Sequence, residues 1–120
     1  MIKLKLNKEK LDILFVFAND SGVFIRAEKA KFIGKKRTIE FVQLQIQLEE
    51  MILFKKKLEI LKIKKADLPR AKLFSITISP IQSLLILMYA APFIKQIDDQ
   101  FSAFVLNEQK DIIFRDLLTK

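Results

Sequence analysis

The longest uncharged stretch of the chain lies between Lys72 and Lys95 and most limits how the chain can fold. It has 22 residues and reads LFSITISPIQSLLILMYAAPFI. A membrane span needs roughly 20 predominantly apolar residues, but serines, a threonine and a glutamine crowd the first half of this stretch. The apolar run from 84 to 94 would cover only about half of a bilayer at about 1.5 Å per residue. We therefore predict no membrane span.

The same stretch divides into a strand and a helix. Residues 73–78 alternate apolar and polar side chains and are rich in β-branched residues, which predicts a strand. Ser79 followed by Pro80 is a strong helix start, because the serine hydroxyl can accept a free backbone N–H and proline has none to lose. The predicted helix covers about 81–91 and ends near Pro92. Since it is apolar nearly all round, we expect it to be buried on most sides.

The N-terminus repeats this arrangement. KLKLNKEKLDILFVFA (3–18) aligns with SITISPIQSLLILMYA (75–90), so that Asn7 falls on Ser79 and both residues can cap a helix. An internal duplication is one explanation. The alternative is that any strand–cap–helix unit gives such a match at low identity. Either way, we expect the two apolar helices to cover each other, together with a long middle helix.

The middle of the chain allows two interpretations. Apolar residues at 3–4-residue spacing, good helix formers and the absence of Gly and Pro predict a helix over Ile39–Leu61. Alternation of apolar residues with glutamines makes residues 39–48 readable as a strand instead. The helix has more apolar positions than one face can hold, and a surplus apolar face indicates self-association or a partner. The alternative is that the second half of the same chain covers both faces. The candidate self-association residues are Leu44, Leu48, Met51, Leu53, Phe54 and Leu58.

Turns and breaks are less clearly marked. Asp20-Ser21-Gly22 predicts a turn, and Gly34 a second one. The tail, Phe93–Lys120, is predicted to be helical and to carry two apolar stripes, which Asn107 separates. The predicted fold is thus α+β and mostly helical, a single domain over 1–120. It contains two strand–helix units whose strands, near 2–6 and 73–78, could pair, a long central helix and a helical tail.

The residue types present argue against catalysis. The chain has no Cys and no His, so thiolate chemistry, ordinary zinc sites and the usual neutral-pH proton shuttle are missing. No phosphate-binding, dinucleotide-binding or nucleophile motif is present. Glu49–Glu50 and Asp98–Asp99 are adjacent pairs that point apart on a helix. We expect no enzyme activity, no cofactor, no metal and no small-molecule substrate.

Charge is distributed unevenly along the chain. Residues 1–72 carry 18 Lys and Arg against 9 Asp and Glu, and residues 73–120 carry 4 against 5. Such a basic region can bind phosphate backbones through counterion release, or anionic lipid. The candidate nucleic-acid-binding residues are Lys29, Lys31, Lys35, Lys36, Arg37, Lys55, Lys56, Lys57, Lys62, Lys64, Lys65, Arg70 and Lys72. With four arginines and no Trp, any such binding should have little sequence specificity.

The predicted function is that of a non-catalytic interaction or assembly protein that forms a homo-oligomer. The alternative is a nucleic-acid-binding accessory protein that uses the basic region 29–72. No signal peptide is recognisable, so we expect a cytoplasmic location. A virion is the other expected location if the chain has a phage or mobile-element origin. Small size, the lack of motifs and the abundance of Lys, Ile and Phe, which AT-rich codons encode, suggest such an origin.

Overall fold

A computed structural model describes residues 2–32 and 39–118. The described residues form, in chain order, β1 (Ile2–Leu6), α1 (Lys8–Ala30), α2 (Ile39–Lys64), β2 (Phe74–Ile78), α3 (Pro80–Gln96) and α4 (Gln100–Leu118). The fold is α+β and mostly helical, which confirms the predicted class. The predicted turn at Gly34 lies outside the described residues.

The two strands pair with each other, as predicted. They run antiparallel, with Ile2 opposite Ile78 and Leu4 opposite Ile76. Leu4 is fully buried, whereas its neighbours Lys3 and Lys5 are exposed. Because successive side chains of a strand point to opposite faces, the sheet has one apolar face that packs on the helices and one polar face.

The strand register is the one that an internal duplication predicts. Leu4 and Ile76, which the sequence alignment equates, lie directly opposite each other in the sheet. A two-fold axis through this pair would therefore exchange the equivalent ends of the two strands. The order strand–helix–helix also occurs twice. In each half the two helices pack on each other, α1 on α2 most extensively and α3 on α4.

Side-chain caps start the helices that follow the strands. Ser79 Oγ accepts a hydrogen bond from the Gln82 backbone N–H at 3.1 Å, and Gln82 Oε1 accepts one from the Ser79 backbone N–H at 3.0 Å. This reciprocal capping box satisfies two backbone donors that the helix itself leaves free. Asn7 Oδ1 similarly accepts from the Lys10 backbone N–H at 2.9 Å. Both predicted caps are confirmed.

Replacing Ser79 by Ala is expected to lower the free energy of unfolding by about 1 kcal/mol, the usual cost of losing a serine cap. Urea denaturation followed by circular dichroism measures this loss. Ser75→Ala, on the exposed face of β2, is the matched control and should change stability less. Equal effects of the two changes would show that the capping box adds nothing to stability.

The predicted turn at Asp20–Gly22 is wrong, because α1 continues through it to Ala30. Phe17, Ser21 and Ile25 are buried at helical spacing on both sides of Gly22. A glycine in a helix interior costs only about 1 kcal/mol relative to alanine. Packing of this face of α1 against α2 outweighs that local cost.

The predicted end of a helix near Pro92 is wrong as well. Helix α3 passes Pro92 and ends at Gln96, so Phe93–Gln96 belongs to α3 rather than to the tail helix. The Phe93 ring packs edge-on against Phe17 at a centroid distance of 5.5 Å, which gives the last turn of α3 a tertiary contact. Most of the predicted helical tail is α4, which runs through the exposed Asn107, the residue that separates the two apolar stripes.

The middle segment is helical over its whole described length, which excludes the strand interpretation of residues 39–48. Helix α2 begins at Ile39, as predicted, and ends at Lys64, three residues beyond the predicted Leu61. It is the longest element of the described chain, with 26 residues. At about 1.5 Å per residue it is about 39 Å long, in a molecule whose longest dimension is 50 Å.

Burial of α3 is less complete than predicted. Leu85, Ile86 and Ala90 belong to the core that all four helices and the sheet share. On the opposite side of the helix, Leu84 and Met88 are about half exposed, at 53% and 42%. The core therefore covers one side of α3 and leaves the other open, because the neighbouring α1, α2 and α4 contact the helix from the buried side.

Candidate functional site

Helix α2 has two opposite apolar faces, and only one of them faces the core. The inner face carries the buried residues Leu48, Met51, Phe54 and Leu58, which pack in the shared core. The other side of the helix, here called the outer face, is exposed to between 50% and 74% at each apolar position. The outer face consists of Ile39, Val42, Ile46, Leu53, Ile60 and Ile63. At 100° per residue, the centres of the two faces lie roughly 180° apart around the helix axis.

The predicted self-association residues mostly lie on the inner face of α2. Leu48, Met51, Phe54 and Leu58 are buried within the chain itself, and Leu44 is half-buried against the core. Leu53 is the one predicted residue that lies on the outer face. Residues buried in the core of one copy have no surface to offer another copy.

The outer face could have been found in the sequence as a second periodic series. Ile39, Ile46, Leu53 and Ile60 recur at intervals of seven residues, which is a helical spacing. The periodicity showed that two faces were apolar but not which one would meet α1. That choice depends on where the other elements pack.

A shallow groove borders the outer face where α2 runs beside β2. It has a volume of about 480 Å³ and is lined by outer-face residues, lysines of α2 and the sheet, among them Leu53, Ile60, Lys64 and Ser75. Lys57 closes one side by donating a hydrogen bond from Nζ to the Thr77 carbonyl oxygen. Partial burial lowers the pKa of Lys57, because desolvation disfavours its charged form.

The predicted nucleic-acid-binding residues differ in their surroundings. Five are exposed: Lys31, Lys56, Lys64, Arg70 and Lys72. Five are partly buried against other side chains or backbone: Lys29, Lys55, Lys57, Lys62 and Lys65. Three lie outside the described residues: Lys35, Lys36 and Arg37.

The partly buried lysines have roles inside the fold. Lys62 Nζ lies 4.4 Å from the centroid of the Phe15 ring, and Lys55 Nζ lies 5.8 Å from the same ring. Both lysines thus cover an aromatic side chain of α1 through cation–π contact. Lys57, two residues after Lys55, instead donates a hydrogen bond to the Thr77 carbonyl oxygen of β2. The lysines of α2 therefore point in more than one direction: Lys55 and Lys62 face α1, and Lys57 faces β2.

A small cavity of about 160 Å³ lies between α1 and α3, lined by Ser21, Phe24, Tyr89 and Phe93 among others. It is smaller than the 300–1,000 Å³ typical of ligand pockets. The Tyr89 hydroxyl donates to Gln47 Oε1 of α2. Burial, and secondarily the negative charge of Glu28, raise the pKa of Tyr89, so the hydroxyl keeps its proton and serves as a structural donor.

One residue of the acidic pair Asp98–Asp99, Asp99, has a structural role. Asp99 Oδ1 accepts the Phe101 backbone N–H at 3.0 Å, and Asp99 Oδ2 accepts the Ser102 hydroxyl at 2.6 Å. These hydrogen bonds, led by the one from Ser102, lower the pKa of Asp99 and cap the first turn of α4. Within residues 2–32 and 39–118, no cluster of three or more acidic residues is placed to hold a metal ion.

None of the helices formed by the described residues is both long and apolar enough to cross a membrane. Comparison of the chain with models of protein families, with curated proteins and with solved structures found no match. The fold and the exposed outer face of α2 therefore define the protein as a small, mostly helical α+β domain with an apolar face that its own described residues leave uncovered.

Proposed function

We propose that the protein is a non-catalytic interaction or assembly protein that associates with itself. The observation that carries this proposal is the outer face of α2, whose six apolar side chains are each at least half exposed along one side of the longest helix. Monomeric proteins rarely expose contiguous apolar patches larger than a few hundred Å². When a second copy of the chain covers this face, the apolar surface is removed from water, and this burial is the main driving force for association.

The electrostatics of the described surface favour this function over nucleic-acid binding. A protein that binds the phosphate backbone of a nucleic acid needs Lys and Arg side chains that converge on one face. Here Lys55, Lys57 and Lys62 are used against Phe15 and Thr77 within the fold, which leaves two exposed lysines on α2, Lys56 and Lys64. The six apolar side chains of the outer face, in contrast, lie along one side of the helix from Ile39 to Ile63, with Glu49 and Lys56 between them.

Size-exclusion chromatography with light scattering, over a range of protein concentrations, tests the proposed self-association. We expect a mass above the monomer value of 14.0 kDa, falling towards that value on dilution. High salt should not dissociate the oligomer, because its apolar contacts are not screened by ions. A constant mass of 14.0 kDa at the highest concentration reached would overturn the proposal.

Nucleic-acid binding is the outcome that would support the alternative function. It would appear as a mobility shift of DNA or RNA whose affinity falls steeply with salt. The suitable variant replaces the exposed Lys56, Lys64, Arg70 and Lys72 by Gln. A triple Gln variant of residues 55–57 is a poorer test, because Lys55 and Lys57 also contact Phe15 and Thr77 within the fold.

A further inference from the structure

We propose that two copies of the chain pair through the outer faces of α2, with the two helices antiparallel and related by a two-fold axis. This inference rests on the proposed self-association and adds the surface, the orientation and the register. The occupant of the outer face is then a second copy of the same helix.

The outer face follows the seven-residue repeat of a helix pair. One series, Ile39, Ile46, Leu53 and Ile60, recurs every seven residues. A second series follows each member by three residues and consists of Val42, Glu49, Lys56 and Ile63. All eight side chains are exposed. These two series correspond to the positions that form the seam between helices in a coiled coil.

The position of α2 in the fold leaves this seam accessible. Leu48, Met51 and Leu58 anchor the opposite side of the helix in the core. The seam extends from the first residue of α2 almost to the last. A second helix can therefore lie along about 39 Å of α2 without any rearrangement of the inner face.

Two charged residues in the seam select the orientation. In a parallel pair, Glu49 would face Glu49 of the second copy, and Lys56 would face Lys56. Like charges in the seam disfavour that pairing. In an antiparallel pair, Glu49 lies close to Lys56 of the second copy, and the two-fold axis produces this ion pair twice.

The register follows from aligning the full length of the two seams. Ile39 then lies beside Ile63 of the second copy, and Val42 lies beside Ile60. In the same alignment Glu49 and Lys56 of opposite copies are offset by three residues along the axis. That offset is about 4.5 Å, which a lysine side chain can span to reach a carboxylate.

The charge distribution along the whole of α2 agrees with this orientation. Residues 39–51 carry three Glu and no Lys or Arg, whereas residues 52–64 carry five Lys and one Glu. An antiparallel pair places the acidic half of each helix beside the basic half of the other. A parallel pair places acidic beside acidic and basic beside basic, which costs energy over the entire interface.

The groove beside β2 fits the same arrangement. It is lined by Leu53, Ile60 and three lysines, Lys56, Lys57 and Lys64. In the antiparallel register, the segment of the second copy that passes this groove is 42–49. That segment contributes Val42 and Ile46 to the apolar part of the groove and Glu49 to the lysines.

Charge exchange tests the seam and its orientation in the full chain. We expect Glu49→Lys alone and Lys56→Glu alone each to raise the dimer dissociation constant at least about tenfold, since each puts like charges side by side. The double variant E49K/K56E should bring the constant back to near the wild-type value. Residues 49 and 56 of one helix are about 10.5 Å apart along the axis, so a contact within one copy does not explain such a rescue. In a parallel pair each single change would only replace one like-charge pair by another, so the single variants would dimerise about as well as the wild type. Single variants with an unchanged dissociation constant would therefore overturn the antiparallel seam.

Disulfide trapping tests the register directly, because the chain contains no natural Cys. Val42→Cys and Ile60→Cys, mixed under mild oxidation, should form the mixed disulfide rather than either homodisulfide. In the antiparallel register the two copies of residue 42 are about 27 Å apart, far beyond the Cα separation of 4.4–6.8 Å that a disulfide allows. A dominant homodisulfide of the Val42→Cys variant would overturn the antiparallel orientation.

Leu53→Asp separates failure of this inference from failure of the proposed function. It places a charge on an exposed residue in the middle of the seam, and circular dichroism checks that the variant folds. We expect its mass to fall to the monomer value at concentrations where the wild type is dimeric. An oligomeric wild type with an equally oligomeric Leu53→Asp variant would overturn the α2 seam but leave self-association through another surface. A monomeric wild type would overturn both.

Discussion

Phe17→Ala is expected to lower the free energy of unfolding by about 3–5 kcal/mol, the usual cost of removing a large buried aromatic side chain. Phe17 is fully buried in α1 and packs edge-on against Phe93 of α3 at 5.5 Å. Its removal takes away apolar burial and leaves a cavity where α1 meets α3. The loss is a large fraction of the 5–15 kcal/mol by which domains are normally stable.

Urea denaturation followed by circular dichroism measures this effect, with Phe104→Ala as the matched control. Phe104 lies on α4 and is 61% exposed, so its replacement should change stability by less than about 0.5 kcal/mol. If the two variants unfolded at the same urea concentration, α1 and α3 would not share a packed core at Phe17.

Leu58→Ala is expected to lower the free energy of unfolding by about 2–5 kcal/mol, whereas Leu53→Ala on the same helix should change it by less than about 0.5 kcal/mol. The two residues have the same side chain and differ in the face they occupy. Leu58 is fully buried and Leu53 is 54% exposed. Only Leu53→Ala should weaken self-association while leaving the fold intact.

The comparison requires denaturation at a concentration where the wild type is monomeric, because association adds stability by mass action. Light scattering at higher concentration then gives the association of each variant. A Leu53→Ala variant that unfolded as readily as Leu58→Ala would mean that the inner and outer faces of α2 are exchanged.

The local features of the fold were predictable because the hydrogen bonds that define them join residues close in sequence. The Ser79–Gln82 capping box spans three residues, and Asn7 reaches only to Lys10. The strand pattern of residues 2–6 is equally local, since alternate side chains point to opposite faces whatever the strand pairs with. The fold class followed from these units together with the helical spacing of the middle segment.

The helix boundaries were less predictable because tertiary contacts overrode local signals. Gly22 and Pro92 are ordinary helix-ending residues in isolation. In the folded chain, the buried Phe17 and Ile25 hold α1 together across Gly22, and the contact of Phe93 with Phe17 does the same for the end of α3. Contacts of this kind join residues far apart in sequence, so no local pattern reports them.

The candidate site shows most clearly which features depend on the local sequence and which depend on tertiary contacts. The amino-acid sequence alone determined that α2 has two apolar faces, because both series of residues recur at helical spacing. Which face is buried was decided only by the tertiary structure. Leu48 and Leu58 meet α1 and the rest of the core, and Leu53 and Ile60 do not. The physical reason is that either face could drive burial by its apolar area alone, and the choice between them depends on how the strands, their connections and α1 position α2 in space.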